Sequence, residues 1–175
     1  MSADRFDEVI TESEKKIKRH VIESIVEDQP GVLQKIAGMF ARRGFNIDTI
    51  TVGKTMQPGW SKMIITVVGD DSVLEKVEKQ MNKLIETFKV NTITENDGII
   101  RELCLVKVNL TKKDAKDEIL NYANVYKNKI VDITAKTAVI EIMGEPAKID
   151  SFVDLVKPYG IVDISRTGIT AIRRG

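Results

Sequence analysis

The sequence predicts an α+β protein made of two tandem ferredoxin-like βαββαβ domains. Two observations support this prediction: segments with strand and helix patterns follow one another in the order β-α-β-β-α-β, and the same order recurs in the second half. The chain of 175 residues is long enough for two small cores. We therefore divide it into a charged N-terminal extension (1–19), a first domain (20–97) and a second domain (98–175).

In the first domain, residues 20–27 are rich in β-branched side chains, which is typical of a strand. Residues 30–43 place apolar side chains on one helical face, and Gly44 ends this helix. A turn at 57–59 separates two further predicted strands, at 46–54 and 61–68. A helix capped within 70–72 follows, and the domain ends with a strand at 90–94. The apolar residues at helical spacing in this helix are Leu74, Val77, Met81, Leu84, Ile85 and Phe88.

The second domain begins after the turn sequence Asn96-Asp97-Gly98. Its pattern predicts strands at 101–110, 130–135, 138–143 and 161–166, helices at 112–126 and 146–159, and a further short strand at 169–172.

Composition excludes several classes of function. The net charge is only +1, and the basic residues are spread among acidic ones without a basic stripe interleaved with aromatic residues, so we expect no binding to nucleic acid. No apolar run approaches the roughly 20 residues that a bilayer requires, and residues 1–20 are charged throughout, so we expect no membrane span and no signal peptide. A single cysteine rules out an internal disulfide framework, which favours the cytoplasm.

The chain also lacks the residues of a catalytic or metal site, so we expect it not to be an enzyme by itself. One histidine and one cysteine cannot form a His/Cys metal set, and no nucleophile-elbow, phosphate-loop or dinucleotide fingerprint occurs. Cys104 alternates with valines on a strand, which predicts a buried thiol. His20 opens a strand and is predicted at the surface or an edge. The acids, including Asp48, Glu75 and Glu78, are predicted on solvated faces and at helix ends.

The segment Glu27-Asp28-Gln29-Pro30-Gly31-Val32-Leu33 is the strongest candidate for a binding site. Pro30 suits the first turn of a helix, Asp28 can cap the free amides, and Gly31 leaves room for a ligand beside the backbone. A helix N-terminus attracts a carboxylate through its free N–H groups and its dipole. From this segment alone, a capped turn without a ligand is the simpler interpretation.

An α-amino acid would complement this segment. Its carboxylate needs donors, which the amides of Gly31, Val32 and Leu33 can supply. Its ammonium needs an acceptor, for which we consider backbone carbonyls, Asp28 or Asn46. The side chains of Val32, Leu33 and Ile47 would form an apolar wall. The simpler interpretation of Asn46 alone is a turn residue bonded to local backbone.

The pattern D-x-P-G-V-L-x-x-I-A-x-x-F-x-x-x-G-x-N-I in residues 28–47 resembles an ACT domain, a regulatory module that binds small ligands. The match over residues 20–174 resembles the small regulatory subunit of acetolactate (acetohydroxyacid) synthase. The matching segments are EDQPGVL (27–33), RGFNI (43–47), TV (51–52), SKM (61–63), VGD (68–70), EKQ (78–80), KL (83–84), REL (101–103), LVK (105–107), IVD (130–132) and SRTG (165–168).

The resemblance implies a non-catalytic subunit with an N-terminal ACT domain. Such a subunit binds and activates a catalytic subunit that carries thiamine diphosphate, Mg and FAD, and itself holds no cofactor or metal. It makes the enzyme sensitive to a branched-chain amino acid, usually valine. The effector would lie between two ACT domains of a homodimer, and the corresponding residues here are Asp28, Gly31, Val32, Leu33, Asn46 and Ile47.

Two positions depart from the family pattern: some members carry Asn where this chain has Asp28, and Ser-Gly where it has Pro30-Gly31. An acid favours the ammonium of the effector but repels its carboxylate.

Two alternatives stay open: a free-standing amino-acid sensor that acts on another enzyme or a transcription factor, and a small enzyme. The hairpin with Met56 and Trp60 is either a partner contact or a segment that folds onto its own sheet, which is the favoured alternative.

Overall fold

The computed structural model describes residues 17–175, which divide into two compact units between Thr94 and Glu95. Each unit has two helices packed on one face of an antiparallel sheet, so the predicted fold class is confirmed. The predicted N-terminal extension lies outside the described residues except for its last three.

The first sheet has the strand order β2-β3-β1-β4, which leaves β2 and β4 at its edges. Every neighbouring pair in this sheet is antiparallel, as the βαββαβ connection requires. The elements of this unit are β1 (Lys18–Glu27), α1 (Val32–Arg42), β2 (Ile47–Lys54), β3 (Trp60–Gly69), α2 (Asp71–Met81) and β4 (Thr87–Ile93).

The core of the first unit lies between the helices and one face of the sheet. α1 buries Val32, Ile36, Met39 and Phe40, which recur at the spacing of a single helical face. They pack with alternate residues of the sheet, including Ile22 and Ile65, which face each other across β1 and β3.

The predicted end of α2 and the predicted exposure of His20 are wrong. α2 ends at Met81 instead of continuing to Phe88; Ile85 is fully exposed, and Phe88 belongs to β4. His20 is buried instead of exposed, because β1 is a central strand, and its Nε2 donates to the carbonyl oxygen of Gly69 at 3.0 Å. The predicted cap of α2 is confirmed: Asp70 accepts a hydrogen bond from the amide of Val73.

The second sheet has the order β6-β7-β5-β8, and β9 pairs with the first part of β5. The predicted short last strand is thereby confirmed. The elements of this unit are β5 (Gly98–Asn109), α3 (Ala115–Val125), β6 (Lys129–Ile133), β7 (Thr137–Gly144), α4 (Pro146–Val156), a 3₁₀ turn (Lys157–Tyr159), β8 (Ile161–Arg166) and β9 (Thr170–Arg173).

The core of the second unit includes Cys104, which is fully buried as predicted. Burial raises the pKa of the Cys104 thiol, so the thiol stays protonated. The prediction that the acids lie on solvated faces is wrong for Glu23 and Glu102, which are 7% and 4% exposed. Each is compensated by a cation: Glu23 pairs with Lys62 and Glu102 with Arg166.

Candidate functional site

The segment of residues 27–33, which we call the effector loop, connects the central strand β1 to α1. Gly31 is the residue before the helix and has a φ of 89°, a conformation that side chains with a Cβ adopt at a cost. Because α1 begins at Val32, Pro30 precedes the helix instead of occupying its first turn, which corrects the predicted start.

Two backbone hydrogen bonds hold the start of the effector loop. The amide of Glu27 donates to the carbonyl oxygen of Glu86 at 2.9 Å, and the amide of Asp28 donates to that of Gly59 at 2.9 Å. The loop is therefore tied both to the connection before β4 and to the turn between β2 and β3.

The carboxylate of Asp28 does not cap α1, contrary to the prediction. Its Oδ1 accepts a hydrogen bond from the hydroxyl of Ser61 at 3.1 Å, and its Oδ2 lies 3.8 Å from Nζ of Lys54. The side chain remains 39% exposed, so it keeps a surface available to a ligand. Strand pairing sets this position, because Ser61 and Lys54 face each other across β3 and β2.

The first turn of α1 presents backbone donors. The amide of Val32 reaches the carbonyl oxygen of Gln29 only at 3.4 Å, and the first regular bond of the helix runs from the amide of Lys35 to Gly31. The amides of Leu33 and Gln34 precede that bond and have no carbonyl four residues earlier in the helix. Free amides at the positive end of a helix dipole suit a carboxylate.

Lys35 adds a positive charge close to these amides. Its ammonium pairs with Glu86, the residue whose carbonyl holds Glu27. The hydrogen bond from Lys35 lowers the pKa of Glu86, so this carboxylate stays ionised at neutral pH. The ion pair thereby strengthens the connection between α1 and the segment before β4.

The predicted apolar wall is only partly available. The side chain of Val32 is 5% exposed and belongs to the domain core, so only its backbone can meet a ligand. Leu33 is 49% exposed, and Ile47 is half-buried at the start of β2.

Asn46 is exposed, and its side-chain amide makes no hydrogen bond with any residue between 17 and 175. The interpretation as a turn residue bonded to local backbone therefore lacks support. Asn46 lies just after the C-terminal end of α1, whereas the effector loop lies at its N-terminal end. The 11 residues of α1 span about 16 Å at 1.5 Å per residue, so one chain does not bring the two together.

Sequence reasoning missed the residues that support Asp28 and the first turn of α1: Ser61, Lys54, Lys35 and Glu86. These contacts depend on strand register and on the path of the connection after α2. The only available signal was the matching SKM segment, which contains Ser61.

A second cluster of charged groups lies in the other unit. Arg166 donates from Nε and Nη2 to both oxygens of the buried Glu102, at 2.9 Å and 2.6 Å, and from Nη1 to Asp150 at 2.7 Å. The Glu102 carboxylate raises the pKa of the Arg166 guanidinium above its ordinary value. Because the cation and both carboxylates satisfy one another, this cluster is a structural ion network that fixes the end of β8.

Within residues 17–175, no group of three or more His, Cys, Asp or Glu side chains is arranged to hold a metal ion. Over the same range, no helix has the length and apolar character needed to cross a membrane.

Comparison with known protein families matches both units. Residues 22–89 match the family model described as the AHAS small subunit-like ACT domain, and residues 101–175 match that of the small subunit of acetolactate synthase. The chain is 45% identical to the probable acetolactate synthase small subunit of Methanothermobacter thermautotrophicus, over 89% of this chain and 93% of that protein.

Two further relatives agree. The acetolactate synthase small subunit of Aquifex aeolicus is 40% identical over 91% of this chain and 83% of its own length. The crystal structure of the acetolactate synthase small subunit from Thermotoga maritima superposes with a TM-score of 0.82 at 40% identity, covering 91% of this chain and 99% of that one.

Proposed function

The chain belongs to the family of small regulatory subunits of acetolactate synthase, and from this membership we propose that it activates the catalytic subunit and makes it sensitive to feedback by valine. Catalysis in this family takes place on the large subunit, so this chain is not itself the enzyme. We place thiamine diphosphate, Mg and FAD on that partner and the complex in the cytoplasm.

The effector site in this proposal is shared between two copies of the chain. β2 is an edge strand, so its backbone groups can pair with a second β2 in antiparallel fashion about a two-fold axis. In that arrangement the start of one β2 lies beside the end of the other. Because Lys54 ends β2 and lies 3.8 Å from the Asp28 carboxylate, Asn46 of the partner subunit would come close to the effector loop.

This arrangement supplies each group that a branched-chain amino acid requires. The free amides of Leu33 and Gln34 would bind the carboxylate, while Asp28 and Asn46 of the partner subunit would accept hydrogen bonds from the ammonium. The exposed part of Leu33, with Ile47, would contact the aliphatic side chain. The observation that supports a site shared between two copies is the exposed side-chain amide of Asn46, which has no hydrogen-bond partner within residues 17–175.

Binding across the interface provides the physical basis for regulation. A ligand that bridges two copies stabilises whichever arrangement of the dimer closes its site. If that arrangement changes the interaction with the catalytic subunit, then the catalytic subunit must change the affinity for the effector by the same factor.

Reconstitution tests the proposal. The purified catalytic subunit is assayed for acetolactate formation alone and with increasing amounts of the full chain, and each mixture is titrated with valine, leucine and isoleucine. We expect the chain to raise the rate and to confer inhibition that is strongest with valine. An identical rate and an identical valine response with and without the chain would contradict the proposal.

A further inference from the structure

The side chain of Lys54, the last residue of β2, lies beside the effector loop. Lys54 is situated between the segments 51–52 and 61–63 that resemble the family, so the resemblance assigns it no role. Side chains that lie opposite one another in an antiparallel register point to the same side of a sheet. Lys54 lies opposite Ser61, and Ser61 lies opposite Val26, which is buried in the core beneath the helices. Lys54 therefore points to the helix-covered side of the sheet, where the effector loop leads into α1.

The two oxygens of the Asp28 carboxylate have different surroundings. Oδ1 accepts the hydrogen bond from Ser61, which holds the group in place. Oδ2 lies 3.8 Å from the ammonium of Lys54 and receives no hydrogen bond from any residue between 17 and 175. Oδ2 is therefore the oxygen that can accept a hydrogen bond from the ammonium of an amino acid.

The ammonium of Lys54 is held loosely. A separation of 3.8 Å exceeds the length of an N–H···O hydrogen bond, and the Lys54 side chain is 85% exposed. Its three N–H donors are therefore available to a ligand. The other lysine near the loop, Lys35, already donates to Glu86, so its charge is neutralised within the chain.

Charge balance gives Lys54 a specific role. Asp28 places a negative charge beside the loop, whereas Glu27 points to the opposite face of the sheet because it follows the core residue Val26 in β1. Without a nearby cation, Asp28 would attract any amine and repel a carboxylate. With Lys54 beside it, the two side chains carry no net charge, and a zwitterionic amino acid meets one group of each sign.

We propose that Lys54 belongs to the effector site and binds the carboxylate of the amino acid together with the amides of Leu33 and Gln34. Oδ2 of Asp28 then accepts from the ammonium. The ammonium and the carboxylate of an α-amino acid are attached to one carbon, so an ammonium at Oδ2 brings the carboxylate close to the Lys54 cation. This inference rests on the proposed effector site and adds the residue that selects a free amino acid against an amine without a carboxylate.

The opposing role for Lys54 is that of a counter-ion of Asp28 that the effector ammonium must displace. The two roles predict opposite effects on affinity: loss of a carboxylate ligand weakens binding of the amino acid, whereas loss of a competitor strengthens it. An amino acid and its amide distinguish them, because the amide keeps the ammonium but replaces the carboxylate by an uncharged group. Lys54 repels such a cation in either role.

Substitution of Lys54 tests the inference on the full chain. The unmodified chain, Lys54→Met and Lys54→Arg are titrated calorimetrically with valine at low salt, and valinamide is measured by its competition with valine. For Lys54→Met we expect the dissociation constant of valine to rise at least threefold and that of valinamide to fall. The preference for valine over valinamide should thus decrease at least tenfold. Lys54→Arg keeps the charge and should keep most of this preference, and leucine and isoleucine with their amides should show the same trend.

Lys89→Met provides the matched control, because Lys89 is exposed on β4, the opposite edge of the sheet. It should change neither dissociation constant, and circular dichroism should show that all variants are folded. Affinities of Lys54→Met that equal those of this control would overturn the inference. So would tighter binding of both ligands, because Lys54 would then only compete for Asp28. In both cases valine still binds and the proposed function stands, whereas an unmodified chain that binds none of the three amino acids would contradict the effector site and this inference together.

Discussion

The hydroxyl of Ser61 donates to Oδ1 of Asp28 across 3.1 Å, joining the effector loop to the middle of the sheet. The bond fixes the carboxylate beside β3, which is the neighbour of the edge strand β2, and leaves part of the carboxylate exposed. An asparagine at position 28 could accept the same hydrogen bond through its amide oxygen but would carry no charge. The position thus allows the charge to be changed while the geometry is kept.

Asp28→Asn should weaken valine binding about tenfold. Hydrogen bonds to an ionised group contribute about 1.5–3 kcal/mol, and the substitution removes the charge that attracts the effector ammonium. Isothermal titration of the full chain with valine measures the change, and stronger binding by the variant would mean that Asp28 chiefly repels the effector carboxylate. Ser61→Ala is the control for position, and we expect a smaller loss because the charge remains.

Gly31→Asp should abolish feedback by valine while activation of the catalytic subunit survives. A carboxylate at this position would lie next to the amides that we assign to the effector carboxylate and would repel it. Gly31→Ala is the matched control, because both substitutions place a Cβ at a φ of 89°, where it meets no atom within 4 Å. Each should therefore cost about 1 kcal/mol of unfolding free energy through backbone strain alone. Unchanged inhibition in the aspartate variant would remove Gly31 from the site.

The order of the elements could be predicted from the sequence, because strands show alternating apolar and polar residues whereas helices show apolar residues at helical spacing. The C-terminal end of α2 could not be predicted in this way. Apolar residues keep helical spacing up to Phe88, yet α2 ends at Met81, where the side chain of Asn82 donates to the carbonyl oxygen of Glu78. Pairing of Thr87 with Val26 in β1 then takes priority over helical spacing. Such competition depends on contacts between distant segments, which local patterns do not contain.

The candidate site could be predicted only in part, because some of its contacts also join segments that are distant in the sequence. The Pro-Gly sequence and the apolar helix that follows identify the loop locally. Strand register determines that Asp28 contacts Ser61 and Lys54. The length of α1 determines that Asn46 lies at the opposite end of this helix from the loop. The buried positions of Glu23 and Glu102 were missed because a sequence does not show which cation will pair with a carboxylate.

Arg166→Ala should lower the free energy of unfolding by about 3 kcal/mol. The substitution would leave Glu102, which is 4% exposed, as an unpaired buried charge. Replacing both residues by methionine should cost less than this single change, because no charge is then left buried. Urea unfolding measures both effects.

Arg101→Ala is the control for the Arg166 substitution, because Arg101 pairs with Glu145 at an exposed position and should contribute only about 0.5 kcal/mol. Equal losses for Arg166→Ala and Arg101→Ala would show that the Glu102–Arg166 pair has no special role in stability.

Phe88→Ala should shift the fluorescence emission of Trp60 to longer wavelength and lower the unfolding free energy by about 1 kcal/mol. The two rings are 5.3 Å apart between centroids, which agrees with the alternative that Trp60 folds onto its own sheet. Such aromatic pairs contribute roughly 0.5–1.5 kcal/mol beyond area burial. Trp60 is the only tryptophan of the chain, so the emission of the purified chain reports the surroundings of this one side chain.

Ile85→Ala is the control, because Ile85 is 93% exposed, and it should change neither quantity.

Contact of Met56 and Trp60 with the catalytic subunit stays a separate prediction. If Met56 and Trp60 contact the catalytic subunit, then adding that subunit should change the Trp60 emission of the unmodified chain. It should change the emission of the Ile85→Ala variant in the same way. An emission that stays constant in both would mean that this aromatic pair stabilises the sheet and does not take part in the contact with the catalytic subunit.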